Sequence, residues 1–162
     1  MILDVDPKVD YAFKHMLGRE STRPILIDVI NGVLDRAPGH EVCEVDMLDP
    51  FNPKEADDDK LSIVDVKARD QAGWQFNIEM QLGAYPSYEK RVVYYTAKFH
   101  QQQLHQGEKY KKLKPTISIS FLNYVLFPNV PATELLVSTV KTIGLSVAPP
   151  VALICTCSPP WM

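Results

Sequence analysis

Ile63-Val-Asp65-Val-Lys67-Ala-Arg-Asp-Gln71-Ala-Gly73-Trp-Gln-Phe76-Asn-Ile-Glu79-Met-Gln81 is the stretch on which the fold turns. Its alternation predicts a β-hairpin with a three-residue loop at Gln71-Ala72-Gly73, in which Gly73 takes the left-handed position that such loops need. That register makes paired residue numbers sum to 144 and sets Asp65 opposite Glu79. Side chains alternate along a strand, so Asp65, Lys67, Asn77, Glu79 and Gln81 share one face. Val64, Val66, Ala68, Phe76, Ile78 and Met80 share the other, which is apolar enough for a core. Two carboxylates directly across a strand pair repel one another. Either solvent screens them, as on the open face of an antiparallel sheet, or a divalent cation with hard oxygen ligands lies between them.

The chain has 162 residues, enough for one domain with a substantial core. A hydrophobic fraction of 46% with 23% charged residues is an ordinary globular balance. A net charge of −3 gives no global case for nucleic-acid binding, so such a role must rest on local patches. Three cysteines, Cys43, Cys155 and Cys157, make no disulfide framework and suit a reducing cytoplasm. The N-terminal residues show no secretory signal and no stretch reads as a membrane span.

Outward from the hairpin, Asp6-Pro7 is a helix start, with Asp6 as N-cap and Pro7 in the first turn. Val9, Phe13, Met16 and Leu17 follow at helical spacing, and Gly18 stops the helix. A second helix begins near Ser21 or Thr22 with an apolar stripe of Ile25, Leu26, Val29, Ile30, Val33 and Leu34. One strand is expected around Glu41 to Leu48, and Asp57-Asp58-Asp59 lies in a loop. Pro86-Ser87 opens the longest helix, expected to run to about Gln106 and close at Gly107. Its residues Val92, Val93, Tyr95, Ala97, Phe99 and Leu104 suit a sheet face, while Lys90, Arg91 and Lys98 form a basic side. Lys109 to Lys114 is a basic connector, and Thr116 to Tyr124 alternates as a strand. The four histidines show no metal-ligand spacing.

Four segments, in order, resemble one family. They are Asp6-Pro-x-x-Asp10-x-x-Phe13-Lys14, Ile63-Val-Asp65-Val-Lys67-Ala68, Phe76-Asn-Ile-Glu79-Met-Gln81, and Arg91-x-x-Tyr94-Tyr95-x-Ala-Lys98. Together they are similar to the Rpn recombination-promoting nucleases, or PD-(D/E)XK nuclease family transposases, over residues 4–127. The resemblance implies an α/β fold with a restriction-endonuclease-like core, a mixed four- to five-stranded sheet flanked by helices. It implies a Mg²⁺-dependent DNA endonuclease, with Mn²⁺ as a substitute ion. Asp65 and Glu79 then match the family's acids, Gln81 stands at its lysine position, and Asp10 matches a further acid from the first helix.

On that basis Asp65, Glu79, the Met80 backbone carbonyl and Asp10 are the expected metal ligands. Gln81 orients water and Lys67 substitutes for the lysine, unless Lys67 instead pairs with Glu79 across the strands. A neutral amide at position 81 offers orientation but no charge. Lys90, Arg91, Lys98, Lys111 and Lys112 are the expected DNA phosphate contacts. DNA is the partner, a membrane is not, and a homodimer is compatible with the chain. The alternative is a catalytically weak or inactive nuclease-fold module for DNA binding or interaction, which the missing lysine favours.

From residue 128 to 162 the character changes to a proline-rich apolar tail in which only Glu134 and Lys141 are charged. Pro149-Pro150 and Pro159-Pro160 argue against a continuing helix or central strand. The shift implies truncation or a frame change near residue 130, with better solubility expected after cutting near residue 128.

Overall fold

The computed structural model describes residues 10–34, 38–52, 62–124, 126, 136–139 and 151–157. The N-cap expected at Asp6, the helical start at Pro7 and the Asp57–Asp59 loop lie outside these residues. Chain order among them is α1 (Asp10–Leu17), α2 (Arg23–Leu34), β1 (Val45–Leu48), β2 (Phe51–Asn52), β3 (Ser62–Ile63), β4 (Val66–Asp70), β5 (Gln75–Gln81), α3 (Tyr88–Gln101), β6 (Thr116–Leu122), β7 (Leu136–Thr139) and β8 (Val151–Cys157).

The hairpin forms in the expected register, with Val66 opposite Ile78, Lys67 opposite Asn77 and Ala68 opposite Phe76. Its loop is held from both sides. Gly73 takes φ +84°, and its N–H donates to the Asp70 carbonyl at 2.9 Å. Asp70 Oδ1 accepts from the N–H groups of Ala72 (2.9 Å) and Trp74 (2.8 Å). An aspartate that bonds its own following backbone presets such a turn.

Strands β1, β4, β5 and β6 make a four-stranded mixed sheet, antiparallel through β5 and parallel from β5 to β6. It is flanked by helices on both faces. The apolar hairpin face packs with Ile117 and Ile119 against Phe13 and Leu17 of α1 and Leu26 and Ile30 of α2, all buried. Ile25 departs from the expected stripe and is exposed, because the buried positions of α2 are Leu26 and Ile30, one turn apart. No helix among the described residues is long and apolar enough to cross a membrane.

The opposite face carries Lys67, Asn77, Glu79, Thr116, Ser118 and Ser120, and it is buried rather than solvated. Helix α3 covers it. Tyr88, Val92, Thr96 and Phe99 are the buried stripe of that helix, at the i, i+4, i+8, i+11 spacing of one face. This phase corrects the expected one: Val93 and Ala97 face outward, whereas Lys98 is buried at 8% exposure. The helix also ends at Gln101, before the expected Gln106. Gln103 stops it by turning its amide to the connector, with Nε2 donating to the Lys114 carbonyl at 2.9 Å and Oε1 accepting from the Lys114 N–H at 2.8 Å.

The tail adds two strands, giving the sheet order β1-β4-β5-β6-β8-β7. Strand β8 runs parallel to β6 over seven residue pairs, from Thr116 with Val151 to Leu122 with Cys157. It is an inner strand although Pro149-Pro150 precede it. A proline withholds only its own N–H, so a strand can start at the next residue. Cutting the chain after residue 128 would leave β6 as an unpaired edge, so we expect lower stability and more aggregation, not relief. Light scattering and thermal melts of the two lengths check this.

Candidate active site

Strand β4 begins at Val66, one residue after Asp65, so Asp65 sits at the mouth of the hairpin. Its Oδ2 accepts from the Met80 N–H at 2.9 Å, and Lys14 Nζ of α1 lies 3.3 Å from Oδ1. Across the strands Glu79 is buried at 6% exposure. Its Oε1 accepts from Asn77 Nδ2 at 3.4 Å, and Arg91 of α3 stands 4.0 Å from Oε2. Burial raises the Glu79 carboxyl above its ordinary value; the Asn77 hydrogen bond and the Arg91 charge oppose that rise, while the Asp65 charge adds to it. The two carboxylates therefore share one electrostatic environment.

The Gln81 carbonyl accepts from the Asn123 N–H at 3.1 Å, just past the end of β6. Carbonyls alternate between the two edges of a strand, so the Met80 carbonyl faces the Asp65 edge, where its N–H also points. Asp65, Glu79 and this carbonyl are the hard oxygens here that could hold a metal ion. Among the described residues no three His, Cys, Asp or Glu side chains gather as a fuller cluster. A divalent ion bound by so few carboxylates would keep several waters. Two cationic side chains already lie against these oxygens, Lys14 on Asp65 and Arg91 near Glu79. Asp10 is the first residue of α1, one turn before Lys14; its side chain is outside the described set.

The remaining residues separate. Gln81 is held at both ends of its amide, with Nε2 donating to the Gly83 carbonyl at 2.9 Å and Oε1 accepting from Arg91 at 2.7 Å. The Lys67 ammonium lies 4.7 Å from the centre of the Phe99 ring. Arg91, not Lys67, is the cation that acts on Glu79. Lys90 and Lys111 are exposed; Lys112 is exposed too and pairs with Glu108 at 2.6 Å. Lys98 is buried and does not belong to an outer basic side.

Burial lowers Lys67 to about 8, against the opposing pull of the Asp49 charge. Between about 8 and 10.5 the unfolded chain holds a proton on Lys67 that the folded chain has lost, so stability rises with pH across that window. We expect a gain on the order of 2 kcal/mol between pH 8 and 10. Urea unfolding of the wild type and of Lys67→Met checks it, since the variant should lack the rise.

Two residues of this site were not legible as such: Lys14 and the inward side of Arg91. The helical phase was the available signal, because Tyr88, Arg91 and Val92 fall on one stripe. A family model described as PD-(D/E)XK nuclease family transposase matches residues 7–142. No curated protein and no solved structure matches the chain. The match takes in α1, Asp65 with β4, Glu79 on β5, α3 and β6. On that extent of agreement, the chain belongs to the PD-(D/E)XK nuclease family transposases.

Proposed function

We propose that the chain is a Mg²⁺-dependent DNA endonuclease, with Mn²⁺ able to substitute. The observation that supports this most is that the Asp65 charge acts on the buried Glu79 carboxyl while Asp65 Oδ2 accepts from the adjoining Met80 N–H. Family membership supports it independently. Asp65, Glu79 and the Met80 carbonyl would hold the ion, with Asp10 as a further acid from α1. When bound, the ion acidifies water and offsets the charge that grows on the phosphate.

The chemistry is hydrolysis of a phosphodiester. The oxygen of a water bonds to phosphorus, one phosphorus–ester oxygen bond breaks, the water gives a proton to solvent, and the departing oxygen takes one up. Gln81 retains one amide hydrogen and one Oε1 lone pair beyond its two bonds, enough to orient that water. Exposed Lys90 and Lys111 are suited to phosphate contacts that set affinity without reading sequence.

A non-cutting DNA-binding module is the second reading, favoured by the neutral Gln81 and by the station of the Lys67 ammonium over Phe99. Supercoiled plasmid incubated with the purified chain separates the two. Nicking in Mg²⁺ that stops in chelator is expected; DNA binding with no nicking in either ion leaves the module.

A further inference from the structure

We propose that Arg91 is the cation that meets the scissile phosphate, and that Gln81 is the residue that positions it; this rests on the nuclease function proposed above. A phosphodiester gains negative charge as it is attacked, and a fixed cation aimed at that charge is worth more than a mobile one. Gln81 brings no charge. Lys67 is stationed over Phe99. Lys14 is on Asp65 with its side chain 44% exposed, where a metal ion would displace it. Arg91 is the one placed and held.

Three contacts hold it. Its guanidinium centre lies 4.9 Å from the ring centres of both Tyr85 and Tyr88, a stacking that suits a planar cation. The third contact is the 2.7 Å bond to Gln81 Oε1. Gln81 is itself anchored by its bond to the Gly83 carbonyl, so the chain Gly83–Gln81–Arg91 is a brace from the end of β5 to the first turns of α3.

The guanidinium also has donors to spare. It carries five N–H groups, and among the described residues its hydrogen bond goes to Gln81 while its Nε is buried with no acceptor. Its approach to Glu79, at 4.0 Å, is too long for a hydrogen bond. An arginine present only to neutralise Glu79 would bond that carboxylate directly, as charge-assisted pairs do. Here the short bond goes to a neutral amide, and the guanidinium, with its side chain 24% exposed, stays beside the acids with N–H groups not committed to them.

The experiment uses the full chain and Arg91→Met, Arg91→Lys and Gln81→Leu. Each is followed by single-turnover nicking of supercoiled plasmid in Mg²⁺ and by binding of a labelled duplex in chelator at several salt concentrations. Arg91→Met should slow nicking by about 100-fold or more, and its slope of log affinity against log salt should be shallower by about 0.9, one phosphate contact. Arg91→Lys should keep the slope yet cut at least about 10-fold more slowly, since an ammonium lacks the fork. Gln81→Leu should keep the slope and lose rate, because the charge remains but is no longer aimed.

Wild-type nicking by Arg91→Met overturns the proposal, and so does a slower rate with an unchanged slope, which marks a structural role. If Arg91→Met melts early, Arg91→Lys decides, and an unchanged rate there overturns it. A wild type that never nicks, with the slope still shallower in Arg91→Met, removes the nuclease function and keeps the phosphate contact. A chain that binds no DNA overturns both.

Discussion

Asp65→Asn is expected to remove Mg²⁺-dependent nicking, by on the order of 1,000-fold or more, while leaving the fold in place. The choice of asparagine matters. Asp65 Oδ2 accepts from the Met80 N–H, and an amide oxygen can take the same bond, so the variant keeps that backbone contact and loses the charge, together with the half-exposed Lys14 pair on Oδ1. Asp65→Ala should also stop cleavage, but it strips the Met80 N–H of its partner at a cost of about 1 kcal/mol. The pair of variants thus separates charge from structure. Melting of Asp65→Asn within a few degrees of wild type, with no nicking, is the expected result. Nicking at the wild-type rate by a well-folded Asp65→Asn would remove Asp65 from the site.

Glu79→Gln should move stability and cleavage in opposite directions. Burial raises the Glu79 carboxyl in the folded chain, relative to 4.5 when unfolded. Between those two values the folded state holds the extra proton, so stability falls as pH climbs through the folded value. At neutral pH without a metal ion the upward-shifted Glu79 carboxyl is therefore a cost to the fold, and glutamine removes it. The metal-free variant should melt a few degrees higher than wild type near pH 7.5 and lose the downward slope above the carboxylate range.

The same change removes a ligand oxygen's charge. Wild type should gain melting temperature as Mg²⁺ is added, in the logarithmic way that a ligand specific for the folded state stabilises. Glu79→Gln should show little of that gain and no nicking. A variant that melts lower than wild type in chelator, or gains as much from Mg²⁺, would show that Glu79 serves packing instead. Thermal melts in chelator and across a Mg²⁺ series, on both proteins, decide it.

The hairpin was legible because its determinants are local. A two-residue period, Gly73 at the left-handed position and Asp70 bonded to the turn set the register without help from the rest of the chain. The pairing of Asp65 with Glu79 follows from that register alone. Whether the polar face meets water or a helix is not local: it depends on α3, whose phase is set by which side chains fit the sheet. Tyr88, Val92 and Phe99 win that contest, turning Val93 out and drawing Lys98 in. β8 is hidden for another reason: Pro149-Pro150 bar ladder bonds only at their own positions, so the strand starts directly after them.

The sequence by itself determined the strand pair, its register and the apolar face that becomes the core, because period and turn chemistry act between near neighbours. Only the tertiary structure decided which cations attend the two acids. Lys14 reaches Asp65 from α1 and Arg91 stands beside Glu79 from α3, while Lys67, the nearest lysine in sequence, is carried off to Phe99. A long charged side chain goes where the packing of distant elements leaves it room, and sequence spacing carries no record of that room.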